Sequence, residues 1–246
     1  MSYSGVISII EVVLLIGVFL FLTWFMVTNF ASKVQKPRAW LQAVKAGEVS
    51  SELLKAEKKY TDRIRFYNIW LQIRRIEQDQ VEGDFAELGV YKGETAKIIR
   101  LCAPKRKLHL FDTFDGFPAG DLADETGKAS GYTSRHFADT SVEKVQGLLG
   151  FSKSIVFHKG YFPDTTTGLE DVTFAFVSMD VDLAKPTKAG LEYFYPRMAP
   201  GGCILIHDYN NDWPELVNAV NNYVNNIPES LIPLADADGT VMIVKQ

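Results

Sequence analysis

The sequence predicts an α/β protein in which a doubly wound, mostly parallel sheet ends in an antiparallel hairpin and follows an N-terminal transmembrane helix. After residue 83, short apolar runs alternate with helix-like segments, which is the pattern of a parallel sheet covered on both faces. Two runs near the C-terminus flank an Asp-Gly turn, which indicates a hairpin. The stretch 5–30 is apolar almost throughout, which indicates a membrane span.

This apolar stretch is the first element of the chain. Its length of about 26 residues, at about 1.5 Å each, exceeds the hydrocarbon core of a bilayer, and Glu11 is its only charge. A cleaved signal peptide is the alternative, although no Lys or Arg precedes the stretch and it is long for the apolar part of a signal. Basic residues follow at Lys33, Lys36 and Arg38, so the positive-inside rule predicts a single-pass protein with a cytoplasmic body.

The stretch 33–80 is polar and predicts one or two helices that lead into the main domain. Apolar residues recur at helical spacing between 66 and 76, beside Arg63, Arg65, Arg74 and Arg75. We expect an amphipathic helix packed on the core, with its arginines in solvent. An arginine-lined binding face and contact with anionic headgroups are the alternatives.

Composition restricts the partners and the compartment. The chain has 246 residues, 47% of them apolar, which is enough for one large domain and an accessory element. Its net charge of -4 supplies no basic field, so nucleic acid is not an expected partner. Cys102 and Cys203 are far apart and lie in apolar surroundings, so we expect two buried free thiols and a reducing compartment.

The main domain is predicted to contain seven strands. Five parallel strands are expected at 84–88, 107–111, 155–159, 174–180 and 202–207, and the hairpin at 231–234 and 240–244. A parallel sheet with a terminal antiparallel hairpin is the layout of class I methyltransferases. This likeness concerns the fold, and a fold alone does not give a function.

The first candidate site follows the first of these strands, in GDFAELGVYKGET. The strand leads through Glu87 into a turn bracketed by Gly89 and Gly93, before a helix that begins near Glu94. Glycines there let backbone amides approach a ligand, although a tight connection gives the same pattern. Asp112 ends the next strand about 23 residues after Gly89, where an acid can accept the hydroxyls of a ribose. Together these residues predict a nucleoside site.

The second candidate site follows two later strands. Asp180 and Asp182 come after one strand, and His207 and Asp208 come after the next. Because neighbouring parallel strands end at the same edge of a sheet, we expect these side chains to converge there. Oxygen ligands suit a hard divalent ion such as Mg²⁺, whereas acids that cap helices or lie in solvent are the alternative.

These motifs resemble the macrocin O-methyltransferase family, which modifies sugars of macrolides. The resemblance runs from about residue 60 to the C-terminus and includes RIRFYNIWLQIRRI, GDFAELGVYKGET, LHLFDTFDGFP, FADTSVEKV, KGYFPDT, DVDL and LEYFYPRMAPGGCILIHDY. It implies Mg²⁺-assisted methylation of a hydroxyl, commonly on a sugar, by S-adenosylmethionine. It also implies that Glu87, Gly89 and Gly93 surround the cofactor, Asp112 its ribose, and Asp180 and Asp208 the metal. The expected division is an anchor at 1–32, a helical lead-in at 33–80 and a methyltransferase domain at 81–246.

Two departures affect the metal site. Relatives commonly read DLYE and DDY where this chain has DLAK at 182–185 and HDY at 207–209. An imidazole thus replaces one carboxylate, and Lys185 adds a cation that disfavours a nearby ion. We therefore consider Asp180, Asp182 and Asp208 as metal ligands, and Asp180 and His207 as catalytic residues. His207 either removes the proton of the acceptor or is a structural hydrogen-bond partner.

The stretch 116–140 is a long Gly- and Asp-rich insertion, which predicts a lid that excludes water. His136 and Arg135 lie in it and are expected in solvent. The acceptor is expected to be a hydroxyl-bearing small molecule or glycan, and a homo-oligomer stays open. A nicotinamide-dependent dehydrogenase lacks support because the G-x-G-x-x-G turn is absent, and a non-catalytic membrane scaffold is the other alternative.

Overall fold

The computed structural model describes residues 3–28 and 35–246, without the side chains of residues 3–7. Contacts between Cα atoms divide the chain into two units, Met1–Leu41 and Gln42–Gln246. The three-part division at residues 32 and 80 stays a prediction.

The first unit contains helix α1 (Tyr3–Met26). The described side chains from residue 8 to residue 28 are all exposed. The segment Ser8–Met26 is long and apolar enough to cross a membrane, and a signal sequence has the same properties. Residues 29 and 30 of the predicted span and the basic residue Lys33 lie outside the described residues.

Three helices lie between residue 35 and the sheet, where the sequence predicted one or two: α2 (Arg38–Lys45), α3 (Ser51–Lys59) and α4 (Arg63–Gln78). Asp62 caps α4, because one of its oxygens accepts hydrogen bonds from the first amides of the helix. Its other oxygen accepts a hydrogen bond of 2.8 Å from the amide of Ala237, near the C-terminus. The buried stripe of α4 consists of Phe66, Tyr67, Ile69, Trp70, Ile73 and Ile76.

The sheet confirms the predicted fold. Its order is β3-β2-β1-β4-β5-β7-β6, with β1 to β5 parallel and β7 antiparallel to both neighbours. The strands are β1 (Asp84–Leu88), β2 (Leu108–Asp112), β3 (Ile155–Lys159), β4 (Phe174–Met179), β5 (Met198–Ile206), β6 (Ile232–Leu234) and β7 (Thr240–Val244). The helices between them are α5 (Glu94–Cys102), α6 (Val142–Leu149), α7 (Ala184–Phe194) and α8 (Pro214–Val224).

Several boundaries differ from the prediction. β5 begins at Met198 rather than 202, because a register shift in its pairing with β4 accommodates Pro200 and Gly201 inside the strand. β4 and β5 end at Met179 and Ile206, so Asp180 and His207 are the first residues after their strands. Helix α7 spans Ala184–Phe194 and continues in a short 3₁₀ turn.

The chain changes direction across the sheet between β1 and β4, which are direct neighbours although β2 and β3 come between them in sequence. In open α/β sheets this switch point is where ligands bind, at the carboxyl ends of the strands. The pairing places Leu88 opposite Met179 and Met179 opposite Ile206. The residues that follow these three, Gly89, Asp180 and His207, therefore leave the sheet side by side.

Gly89 cannot be replaced without strain at this point. Its φ is +87°, and an added Cβ would lie 1.9 Å from the carbonyl oxygen of Asp180. We predict that Gly89→Ala lowers the free energy of unfolding by at least about 2 kcal/mol. Gly147→Ala, within α6 and with open space at its Cβ, is the matched control and should stabilise by about 0.5 to 1 kcal/mol. Urea unfolding of the detergent-solubilised chain measures both, and equal effects would refute the packing argument.

Candidate functional site

The turn after β1 is held by Asp112. One carboxylate oxygen accepts hydrogen bonds from the amides of Val90 (2.7 Å) and Tyr91 (2.9 Å), and the other accepts one from Phe114 (2.6 Å). This structural role was not foreseen from the sequence. The predicted contact with a ribose stays a prediction, since a carboxylate has lone pairs for further donors.

The two glycines of the turn are required by the protein itself. Gly89 lies against the backbone of Asp180, and a Cβ on Gly93 would lie 2.7 Å from the side chain of Val145 in α6. Gly93 also has a positive φ of 80° as the N-cap of α5. Packing alone therefore explains why glycine stands at both positions, and their predicted contact with a cofactor stays a prediction.

Glu87 is a buried acid next to this turn. Its side chain is 1% exposed, and Oε2 has no hydrogen-bond partner among the described residues. Burial, followed by repulsion from Asp180, raises the pKa of Glu87 well above its usual range, and Arg65 opposes the rise. A ligand with positive charge at this turn would stabilise the ionised form of Glu87.

The four residues predicted at the second site do come together. His207 Nδ1 lies 3.3 Å from Oδ1 of Asp180 and 3.0 Å from Oδ1 of Asp208. One possible ligand atom from each of these three residues lies within 4.8 Å of the other two. Asp182 is next to them, and its Oδ1 accepts a hydrogen bond of 3.2 Å from Tyr132. Burial and repulsion from Asp180 and Asp208 raise the pKa of Asp182 to about 8.

Arg65 is the residue that sequence reasoning missed. Its Nη2 lies 2.9 Å from Oδ2 of Asp180, and its side chain is only 12% exposed. The expectation of a solvated arginine is thus wrong for Arg65, whereas Arg74 pairs with Glu48 in a more exposed place. The sequence contained a signal for this position. Arg65 lies four positions before Ile69, so helical spacing places Arg65 on the buried stripe of α4.

Cations set the charge states of this cluster. Burial by itself would raise the pKa of Asp180, but Arg65 and His207 outweigh it and hold the pKa of this carboxyl well below its usual range. Burial would lower the pKa of His207, but Asp180 raises it to about 10. Lys185 donates to the carbonyl of Gly120 and lies 3.9 Å from Asp124, so its charge is directed toward the insertion.

Backbone strain marks the same two loops. Asp182 and Asp208 have left-handed φ values of 58° and 60°, which are unusual for residues other than glycine. Such strain persists only where the surroundings enforce it, and it concentrates at functional sites. The cluster is therefore a candidate ligand site on conformational grounds as well.

The insertion is ordered and covers the cluster. It contains short 3₁₀ helices at Ala119–Asp121 and Gly127–Gly131. Glu125 accepts a hydrogen bond of 2.7 Å from the first amide of α7, and Tyr132 reaches Asp182. His136 and Arg135 are exposed, as expected, and movement of this segment as a lid stays a prediction. Of the two free cysteines, Cys203 is buried and Cys102 is half-buried, not fully buried as expected.

Comparisons with known proteins identify the family and agree with the fold. Residues 43–244 match the family model described as macrocin-O-methyltransferase (TylF). A relative in Streptomyces olivaceus, the 8-demethyl-8-(2,3-dimethoxy-alpha-L-rhamnosyl)-tetracenomycin-C 4'-O-methyltransferase, is 27% identical over 187 residues, or 72% of this chain and 70% of that protein. Demethyldecarbamoylnovobiocin O-methyltransferase of Streptomyces niveus is 26% identical over 188 residues, or 71% of each chain. The solved O-methyltransferase NovP has a TM-score of 0.66 at 27% identity, over 75% of this chain and 80% of that one.

The ion pair between Arg65 and Asp180 yields a test of the site's electrostatics. We predict that Arg65→Met lowers the free energy of unfolding by about 2 kcal/mol, because it leaves the half-buried carboxylate of Asp180 without its main partner. Arg74→Met, on the same helix, removes the exposed pair with Glu48 and should cost less than about 1 kcal/mol. Urea unfolding at neutral pH measures the difference, and similar losses in both variants would contradict the buried role.

Acidification provides a second readout of the same pair. Because Arg65 lowers the pKa of Asp180, the pair stabilises the fold above the ordinary pKa of aspartate and loses this effect as pH falls through the folded-state pKa. The difference in the free energy of unfolding between wild type and Arg65→Met should therefore decrease on acidification. A difference that stays constant with pH would show that the arginine acts by packing alone.

Proposed function

The chain belongs to the macrocin O-methyltransferase (TylF) family, and we propose that it methylates a hydroxyl of a sugar or glycoconjugate with S-adenosylmethionine as donor. The family match includes every residue of the candidate site. The protein is accordingly an O-methyltransferase, and neither the dehydrogenase nor the non-catalytic scaffold is retained. The observation that carries the proposal is the convergence of the glycine turn and the acidic cluster at the switch point of the sheet. The rhamnosyl substrate in the name of the S. olivaceus relative supports a sugar acceptor.

The cofactor would bind at the turn after β1. Acids surround this turn, since Glu87 is buried there beside Asp112 and Asp180. A molecule with a sulfonium and an ammonium group fits these acids, because its positive charge would stabilise the ionised form of Glu87. In the proposed arrangement Gly89 and Gly93 shape the turn, Glu87 faces the methionine part and Asp112 binds the ribose. Bound S-adenosylmethionine supplies an electrophilic methyl group to an oxygen aligned with its sulfur.

The acidic cluster would hold a divalent ion and the acceptor. The three acids of the cluster, Asp180, Asp182 and Asp208, are suited to bind a cation. Burial and repulsion between the acids raise the pKa of Asp182 and of Asp208, and a bound cation would stabilise their ionised forms. Arg65 fixes Asp180, and Tyr132 fixes Asp182. An ion bound here supplies a Lewis acid that lowers the pKa of the acceptor hydroxyl. In the absence of an ion, Asp180 raises the pKa of His207 to about 10, so the histidine is then protonated at neutral pH and cannot remove the proton of the acceptor.

Methyl transfer and its dependence on metal test this proposal. We predict that the full chain transfers labelled methyl from S-adenosylmethionine to nucleotide-linked sugars or extracted glycolipids, and that chelation abolishes transfer while S-adenosylhomocysteine still binds. Asp180→Asn and Asp208→Asn should reduce turnover at least about a hundredfold, because each removes a ligand. Asp171→Asn, exposed before the amino end of β4, is the control and should be neutral.

Three results would overturn parts of this assignment. Turnover that persists without metal but is lost in His207→Ala would make the histidine the general base. Absence of binding to S-adenosylhomocysteine would remove the cofactor site. Transfer to a hydroxyl that is not part of a sugar would keep the reaction but change the acceptor.

We further propose that α1 anchors the protein in a membrane with residues 35–246 in the cytoplasm. The exposed apolar side chains of Ser8–Met26 and the basic residues Lys36 and Arg38 that follow support this orientation. We predict that the full chain resists carbonate extraction and is digested by protease added from the cytoplasmic side. A chain that starts at residue 35 is the control and should be released. Release of a shortened chain from cells would support a cleaved signal instead, and release of the full-length chain would contradict the anchor.

A further inference from the structure

His207 contributes a nitrogen to the acidic cluster that no other group uses. The side chain is buried, with an exposed fraction of 8%, and Nδ1 makes no hydrogen bond within the described part of the chain. The oxygens of Asp180 and Asp208 are near enough for such a bond, at 3.3 and 3.0 Å. Since distance does not prevent it, neither oxygen lies in the direction in which the ring nitrogen would form a hydrogen bond.

The separations among these atoms fit metal ligands. Two neighbouring ligands about 2.1 Å from an ion are about 3.0 Å apart in an octahedron and about 3.4 Å apart in a tetrahedron. The observed separations of 3.0 and 3.3 Å between Nδ1 and the two carboxylate oxygens fall in this range. Arg65 contacts Oδ2 of Asp180 and leaves Oδ1 directed toward His207. The three donor atoms are thus arranged as neighbours in one coordination sphere.

The identity of the third donor decides which ion binds best. Mg²⁺ prefers oxygen ligands alone, whereas an imidazole nitrogen increases the affinity for first-row transition ions. We propose that an incoming ion displaces the proton of His207, so that Nδ1 becomes a metal ligand together with Asp180 and Asp208, and that the site therefore selects a divalent transition ion such as Mn²⁺ or Co²⁺ over Mg²⁺. This inference rests on the metal site of the proposed function, but it requires only binding and not turnover.

Equilibrium binding of Mn²⁺ and Mg²⁺ to the full chain in detergent tests the selectivity. The wild type should bind Mn²⁺ at least about tenfold more tightly than Mg²⁺. His207→Asp replaces the nitrogen with an oxygen donor and should reduce this ratio about tenfold, mainly through tighter Mg²⁺ binding. His136→Ala, an exposed histidine of the insertion, is the control and should keep the wild-type ratio.

Pulsed electron paramagnetic resonance of the Mn²⁺-loaded wild type tests the ligand directly. It should show hyperfine coupling to one ¹⁴N nucleus, and His207→Asp, checked for folding by its thermal unfolding, should lack it. Bound Mn²⁺ without nitrogen coupling, or equal affinities for Mn²⁺ and Mg²⁺ in the wild type, would overturn the inference.

The outcome is separable from that of the proposed function. Methyl transfer to a sugar without nitrogen coupling would refute the role of His207 as a ligand and leave the reaction in place. Nitrogen-coupled Mn²⁺ in a protein that transfers no methyl group would support the ligand and refute the reaction.

Discussion

The backbone contact between Gly89 and Asp180 is the constraint on which the candidate site depends. The amide of Asp180 donates a hydrogen bond of 2.9 Å to Leu88, and the adjacent Gly89 has no room for a side chain. The amide of His207 donates in the same way to Met179. Strand pairing thus determines where the two acidic loops and the glycine turn leave the sheet, before any side chain contributes. The position of the candidate site is therefore determined by the register of the strands.

Buried charges then differentiate carboxyl groups that are close in space. Asp180 lies between Arg65 and His207, and its pKa is lowered. Asp182 and Glu87 lie in acidic surroundings without such close cations, and their pKa values are raised. The guanidinium that α4 places beside Asp180 contributes to this difference together with His207. Neighbouring acids can therefore have different ionisation states at one pH.

The sequence was sufficient for those features that depend on local pattern. Alternating strands and helices, the glycine turn and the acids after β4 and β5 all follow from short stretches, and the sheet confirms their order. The partners of Asp112 and Asp180 depend on residues more than twenty and one hundred positions away, which periodicity does not reveal. The start of β5 was misplaced because Pro200 and Gly201 indicate a loop, whereas a bulge retains them in the strand.

The two hydrogen-bonding oxygens of Asp62 join parts of the chain that are far apart in sequence. One oxygen caps the helix that carries Arg65, and the other accepts a hydrogen bond from the amide of Ala237, 175 positions away. The cap of α4 and the loop before β7 are therefore held by one carboxylate. A change in that loop can thus alter the position of the guanidinium beside Asp180 without touching the acidic cluster itself.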